Sequence, residues 1–467
     1  MWNYERMLQY FSGPEASELL AAGKWGLEKE SQRVKPTGDL ALTDHPAAFG
    51  DKLIHPRITT DFAESQLELI TPPLDSIQGA HDSLIAIHDE VEAGLGEELL
   101  WPLSMPPRLP TEDLIRVASF NDSDEGREKE AYRHELAARY GKKMQMISGL
   151  HVNFSFPDEL LVAFGKHAGI PGSDREIKDE LYFAVTRNFL RYRWLLIYLF
   201  GASPSIDPSY DSILCDELAV IEACCPACCS KTSQYERYAT SMRVSRFGYS
   251  NTQRKTQMVS FNSMAEYLAT FRKQLGKTFK KESEFYSSIR LKPHPADSGE
   301  SQLDALQRRG VNYLELRIMD LDPYQREGIG VHSLFFIHLF LLYCLFEPSP
   351  PISAKEFEVI NENHHMVSLF GRKPGLKLRK ADDRTVKLQV WAEEILGKIE
   401  RIAPLLHPEK DSIYRAVLNK EKRKVRDPSL IPSAVMQSEM AERNETFVQF
   451  GIRRAEENRR LQPVGRD

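Results

Sequence analysis

Polar and apolar side chains alternate at every step through Gly149-Leu150-His151-Val152-Asn153-Phe154-Ser155-Phe156, and that period belongs to an extended strand rather than a helix. His151, Asn153 and Ser155 fall on one face and Val152, Phe154 and Phe156 on the other. Four further stretches carry the same design. Gly26-Leu27-Glu28-Lys29-Glu30 puts two carboxylates on one face, and Glu64-Ser65-Gln66-Leu67-Glu68-Leu69 opposes its acids and Gln66 to leucines. Thr240-Ser241-Met242-Arg243-Val244-Ser245 sets Arg243 against Met242 and Val244. Tyr313-Leu314-Glu315-Leu316-Arg317-Ile318 sets Glu315 and Arg317 against three aliphatic residues. If these strands join in one sheet, a single polar face gathers acids, an imidazole and guanidinium groups.

Hard divalent cations prefer oxygen ligands and bridge carboxylates to substrate phosphates, so an array of Glu28, Glu30, Asp61, Glu68 and Glu315 suits magnesium and a nucleotide. His151 would also accept manganese. Any one such pair on a strand is a weak signal, because a half-wet antiparallel sheet commonly carries ion pairs on its outer face. Five such strands in one chain favour a site.

At 467 residues the chain exceeds the usual single core, which leaves either one elaborated catalytic domain or two to three smaller ones. Because the polar strand faces come from both Glu28 and Glu315, an early split would cut the site. One interwoven domain over 1–467 is therefore expected, its part from 346 onward mostly helical. A net charge of -6 gives no basic footprint for nucleic acid or membrane, so the expected partners are small molecules. The start, Met1-Trp2-Asn3-Tyr4-Glu5-Arg6, has no cationic segment followed by an apolar run, which points to a cytoplasmic enzyme, taken to act as a monomer. The apolar run Leu334 to Phe346 is too short to span a bilayer and reads as a buried helix with His338 as a core histidine. Cys224, Cys225, Cys228 and Cys229 have no second ligand pair at zinc spacing and read as reduced thiols in a loop.

Helices are expected over Trp2–Leu20, Ser76–Leu95, Glu128–Tyr140, Ile177–Phe200 and Met264–Leu275, with a tight turn at Pro36-Thr37-Gly38-Asp39 and a loop from Trp101 to Pro107.

The segments GLEKESQRV, ITTDFAESQLELITP, WPLSMP, AYRHELAARYG, MQMISGLHVNFS, YLFGASPS, YATSMRVS with GYSN, YLELRIMDLDP and GRKPGL, in that order from Gly26 to Leu376, together resemble glutamate-cysteine ligase of the gammaproteobacterial type. The last ninety or so residues resemble it only loosely. The resemblance implies an α+β fold, a six-stranded antiparallel sheet bent into a funnel like that of glutamine synthetase and the guanidino kinases, with surrounding helices. It implies ATP-dependent joining of the glutamate γ-carboxylate to the cysteine amine through a γ-glutamyl phosphate, with Mg2+ held by Glu28, Glu30, Asp61, Glu68, His151 and Glu315. Arg317 then matches the group that stabilises the transferring phosphoryl, and Arg243 a contact to substrate carboxylate or phosphate. Phe62, Tyr132, Leu136, Gln145, Tyr249 and Tyr286 match the cysteine pocket, with Asn153 among the substrate contacts. Arg290, Lys292, Arg372 and Lys373 would lie near ATP. Two rivals remain: a ligase joining glutamate to another amine, and a non-catalytic relative that binds glutamate or nucleotide. No segment remains for a second, glutathione-forming domain.

Overall fold

The computed structural model describes residues 2–213, 237–248, 259–295, 297, 299–406 and 408–461. Its centre is strand β1 (Lys24–Val34), long enough to pair with β3 (Gln66–Ile70) on one edge and, at its far end, with β4 (Leu99–Leu100) on the other. With β2 (Ile58–Thr60), β5 (Leu150–Ser155), β6 (Ile289–Pro293) and β7 (Val311–Met319), the strands run in the order β2-β3-β1-β5-β7-β6, with β4 off that path. Every pairing along the path is antiparallel. This is the antiparallel sheet expected of an α+β chain.

The apolar faces do what alternation requires. Trp25, Leu27, Val152, Phe154, Leu314 and Leu316 are buried in one core. Helices α3 (Ile77–Gly94), α6 (Asp174–Phe200) and α9 (Val331–Phe346) contribute to that core. The α3 helix starts where Ser76 accepts the Gly79 amide, a serine N-cap. His338 packs edge-on against Trp25 and tilted against Phe154, and its Nδ1 lies 2.6 Å from the Tyr414 hydroxyl, so it is a core histidine. Lys29 breaks the rule: it is buried on the apolar side of β1, its Nζ donating to the Arg326 carbonyl at 3.2 Å, and burial pulls its amine down to about 8 despite Glu327 and Glu92.

Several expectations need correction. The first helix is two, α1 (Tyr4–Tyr10) and α2 (Pro14–Ala21), because Pro14 has no amide to continue a helix and fits the first turn of a new one. Residues 240–245 are not a strand. Only Ser241 forms a β-bridge, to Ser203, and the chain then turns: the Ser245 amide donates to Met242, the Gly248 amide to Ser245, and Ser241 Oγ accepts from Val244. Serine side chains that bond their own backbone compete with a ladder and can imitate strand alternation by accident. A Cβ on Gly248 would lie 1.7 Å from the Arg243 carbonyl oxygen, so the turn requires glycine there.

Among the described residues after α9 the chain is mostly helical, with a small hairpin of β8 (Lys377–Arg379) and β9 (Thr385–Lys387). The last helix, Phe447–Arg460, returns to the beginning of the chain: Val448 and Ile452 cover the Gly38 turn, and Gly451 lies against the Trp101 ring. The cysteine cluster at 224–229 and Tyr249 lie outside the described residues.

Candidate active site

Register lines up the acids on the polar face. Glu30 is the cross-strand partner of Glu68, Glu28 of His151, Asn153 of Glu315, and Arg290 of Glu315 on the other side. Between Leu150 and Val152 the β5–β7 ladder slips, so that Arg317 and Ile318 together oppose His151. A bulge of this kind re-aims side chains. Here it brings the Arg317 guanidinium to 3.5 Å from His151 Nδ1, while donating to Glu315 Oε1 at 2.9 Å.

The electrostatics follow from this crowding. Burial raises Glu28, but the His151 hydrogen bond and charge, with the Asn153 amide, outweigh it and hold the carboxyl below its ordinary range. Burial likewise opposes ionisation of Glu315, and Arg317, Lys292 and Arg290 overcome it, leaving that carboxyl strongly acidic. Glu30 and Glu68 go the other way: burial raises both, and neighbouring carboxylates, Asp61 above all, add to the rise. Like charges gathered in this way repel one another, and a divalent cation between them would relieve the repulsion. Carboxylate oxygens of Glu28 and Glu315 and an imidazole nitrogen of His151 lie within 4.8 Å of one another. Glu315 Oε2 is buried with no hydrogen-bond donor among the described residues. Oxygen donors with one imidazole fit a hard divalent cation.

These residues open on a cavity of about 280 Å³, whose wall also includes Asp61, Tyr132, Leu136, Gln145, Arg243, Tyr286 and Arg290. Helix α4 (Asp124–Tyr140) supplies Tyr132 and Leu136, and the Tyr132 hydroxyl meets Ser283 Oγ at 2.6 Å. Arg243 reaches the site from its turn. Its Nη2 donates to the Arg317 carbonyl at 2.9 Å, and Asp320 stands behind it at 3.9 Å. The space it occupies exists because residue 149 is glycine.

Other expected site residues lie elsewhere. Phe62 is buried in an apolar cluster with Leu136, Met146 and Ile147, behind the cavity wall rather than on it. Asn153 is also off the wall: its amide donates to Glu28 Oε1 at 2.7 Å, so it orients a carboxylate. Lys292 reaches Glu315 Oε2 at 3.7 Å from outside the wall. Arg372 and Lys373 are not brought to the cavity; Arg372 donates to Gln437 at 2.6 Å and to the Ala239 carbonyl at 3.0 Å.

The glutamate-cysteine ligase family pattern matches residues 8–281 and 272–367. A glutamate-cysteine ligase of Clostridium acetobutylicum is 45% identical over 481 residues, covering 97% of this chain and 99% of its own length. One from Pseudomonas entomophila is 37% identical, covering 94% of this chain and 85% of its own. The chain belongs to the glutamate-cysteine ligase family. The structure of a member from Francisella tularensis, in complex with AMP, superposes with a TM-score of 0.82 at 31% identity, over 94% of this chain and 88% of that one. A bifunctional glutathione synthetase from Pasteurella multocida gives 0.78 at 30% identity; 98% of this chain covers 54% of that protein. As a family member the chain is an enzyme, an ATP-dependent ligase of glutamate and cysteine.

Sequence reasoning missed Ser283, Ser287, Ser288 and His364 of the cavity wall, and Arg133 beside it. Arg133 donates to the backbone oxygens of Asp61 and Thr60, the latter at 3.2 Å. Ser288 continues the alternation of Arg290 and Lys292 back along the same face and was open to detection. His364 comes from the helix Ala354–Phe370 and has no local signal.

Proposed function

We propose that this ligase works through a γ-glutamyl phosphate formed within the cavity, with Mg2+, or Mn2+ in its place, held by Glu28, Glu30, Asp61, Glu68, His151 and Glu315. The observation that carries the reading is the register-aligned row of acids facing Arg317, Arg243 and Arg290. When bound, the divalent cation neutralises phosphate charge and orients ATP.

The residues divide the remaining work. Arg317, held between Glu315 and His151, faces the transferring phosphoryl and offsets charge on its equatorial oxygens. Arg243 fixes a substrate carboxylate or phosphate, braced by Asp320. Arg290 and Lys292 attract the nucleotide; AMP in the Francisella relative supports a nucleotide site. Tyr132, Leu136, Gln145 and Tyr286 receive cysteine, with Tyr249 added from the family resemblance. The glutamate γ-carboxylate attacks the γ-phosphorus and releases ADP. The cysteine amine then attacks the acyl carbon, gives up a proton and expels phosphate. No protein nucleophile takes part, and positioning does most of the catalysis.

Residues 1–467 serve as one catalytic domain in a cytoplasmic monomer of the gammaproteobacterial type. The Pseudomonas relatives support the type. Among the described residues no helix is long and apolar enough to cross a membrane.

The test is ADP release with glutamate, ATP and magnesium, with and without cysteine, together with identification of the product. Stoichiometric γ-glutamylcysteine supports the reading. Faster turnover with a diamine, or no glutamate-dependent release, would overturn it.

A further inference from the structure

A guanidinium taken out of water needs an anion, and two arginines of α6 have one. Arg187 reaches Glu180 at 2.9 Å and Arg191 reaches Glu356 at 2.6 Å. Arg193, six residues beyond Arg187, does not. It is 2% exposed, and among the described residues no carboxylate lies within ion-pair distance. Its donors go to two neutral acceptors, Ser288 Oγ and Asn361 Oδ1, each at 2.7 Å, and its Nε has no partner among the described residues. Burial draws Arg193 down only to about 9, so it is charged at neutral pH. His364 and His365 beside it are pushed well below the ordinary histidine range, by burial first and by this guanidinium among other neighbours, and carry no compensating charge.

Ser288 connects this charge to the cavity. It lies on the wall, 9% exposed, directly across from Arg317, whose amide donates to the Ser288 carbonyl at 2.9 Å. Because Ser288 Oγ accepts from Arg193, its own proton is left to donate, and among the described residues no acceptor takes it. A hydroxyl polarised by a full positive charge is a strong donor to an anion. Ser288 offers one such donor, across the ladder from Arg317, and a single donor suits a single carboxylate rather than a phosphate chain.

We propose that Ser288 binds the carboxylate of an amino-acid substrate, donating its hydroxyl proton to it, with Arg193 as the positioning residue that supplies the counter-charge. This rests on the ligase reading, in which amino acid and ATP share the cavity.

Initial rates on the full chain with magnesium, varying glutamate, cysteine and ATP in turn, test it for wild type, Ser288→Ala, Ser288→Thr and Arg193→Lys, each checked by thermal melting. Losing one hydrogen bond to a charged group corresponds to about a 10- to 100-fold change. Ser288→Ala is expected to raise KM by that factor for one amino acid and leave the ATP KM within about twofold; whether glutamate or cysteine responds identifies the carboxylate. Ser288→Thr, which keeps the hydroxyl, restores most of the loss, and Arg193→Lys moves the same KM. If Arg193→Lys does not fold, the serine pair decides alone. Unchanged KM values in Ser288→Ala, a fall in kcat only, or a rise confined to ATP would overturn the proposal. A wild-type enzyme without glutamate- and cysteine-dependent ADP release would instead remove the ligase reading on which it rests.

Discussion

His151 Nδ1 lies 3.1 Å from Glu28 Oε2, and the two residues are cross-strand partners on β5 and β1. On its other ring nitrogen, His151 is 3.7 Å from Glu30. One imidazole thus faces two carboxylates of one strand, while Asn153, two residues on, holds the far oxygen of Glu28. The consequence is a carboxylate whose orientation is set from two sides before any ligand arrives.

Glu28→Gln and Glu315→Gln are therefore expected to fold and to lose turnover. Even outer partners of metal sites are worth ~10–100-fold, so a direct ligand should cost at least about 100-fold. Asn153→Ala should fall in that smaller range and be partly rescued by raised magnesium, as a residue that only orients Glu28 would be. Rates against magnesium concentration, with melting curves, check all three; wild-type activity of Glu28→Gln at ordinary magnesium would refute the assignment.

Gly149→Ala tests the packing of Arg243. A Cβ at 149 would stand 1.9 Å from Arg243 Nη2 and 2.4 Å from its Cζ. The arginine must then leave the Arg317 carbonyl. A displacement of about 1 Å at a reacting centre can cost ~100-fold, so a fall of 10- to 100-fold in kcat/KM is expected with little change in melting temperature. Full activity would mean that Arg243 has another route to its function.

For the amine substrate, Leu136, Ile147, Tyr132 and Tyr286 make a largely apolar wall with Gln145 as a polar handle. Such a wall reads size. Exchanging thiol for methyl is worth only ~1–3 kcal/mol, so 2-aminobutyrate should be a usable but poorer substrate than cysteine. Serine, which buries a hydroxyl with few partners, should be poorer still. Competition kinetics at fixed glutamate and ATP give the ranking, and serine ahead of 2-aminobutyrate would contradict it.

His365 gives stability a pH dependence. Burial, then Arg246 and Arg193, push it down to about 3 in the fold, against an ordinary value near 6.5 in the unfolded chain. The unfolded chain takes up this proton first. Stability from this group is therefore complete above about pH 6.5 and is lost as pH falls toward 3, amounting to about 2 kcal/mol by pH 5. Melting temperature between pH 7 and pH 5 should fall less steeply for His365→Gln than for wild type; equal slopes would count against it.

Alternation at a period of two is a local property, so the sequence alone determined that residues around Glu28, Glu68, His151 and Glu315 are strands with acids on one face. It likewise determined the helices with clear caps and the buried helix after Val331. Local pattern failed at Arg243, where serine side chains bonding their own backbone produced the same alternation in a turn. Only the tertiary structure decided which strands are neighbours, and with that the pairing of Glu28 with His151 and of Glu30 with Glu68. It also moved Phe62 behind the wall, turned Asn153 onto Glu28, and brought Arg193 to Ser288 from a distant helix. The physical reason is that register and helix docking are set by contacts between residues from 38 to 123 positions apart, and no local window of sequence contains both partners.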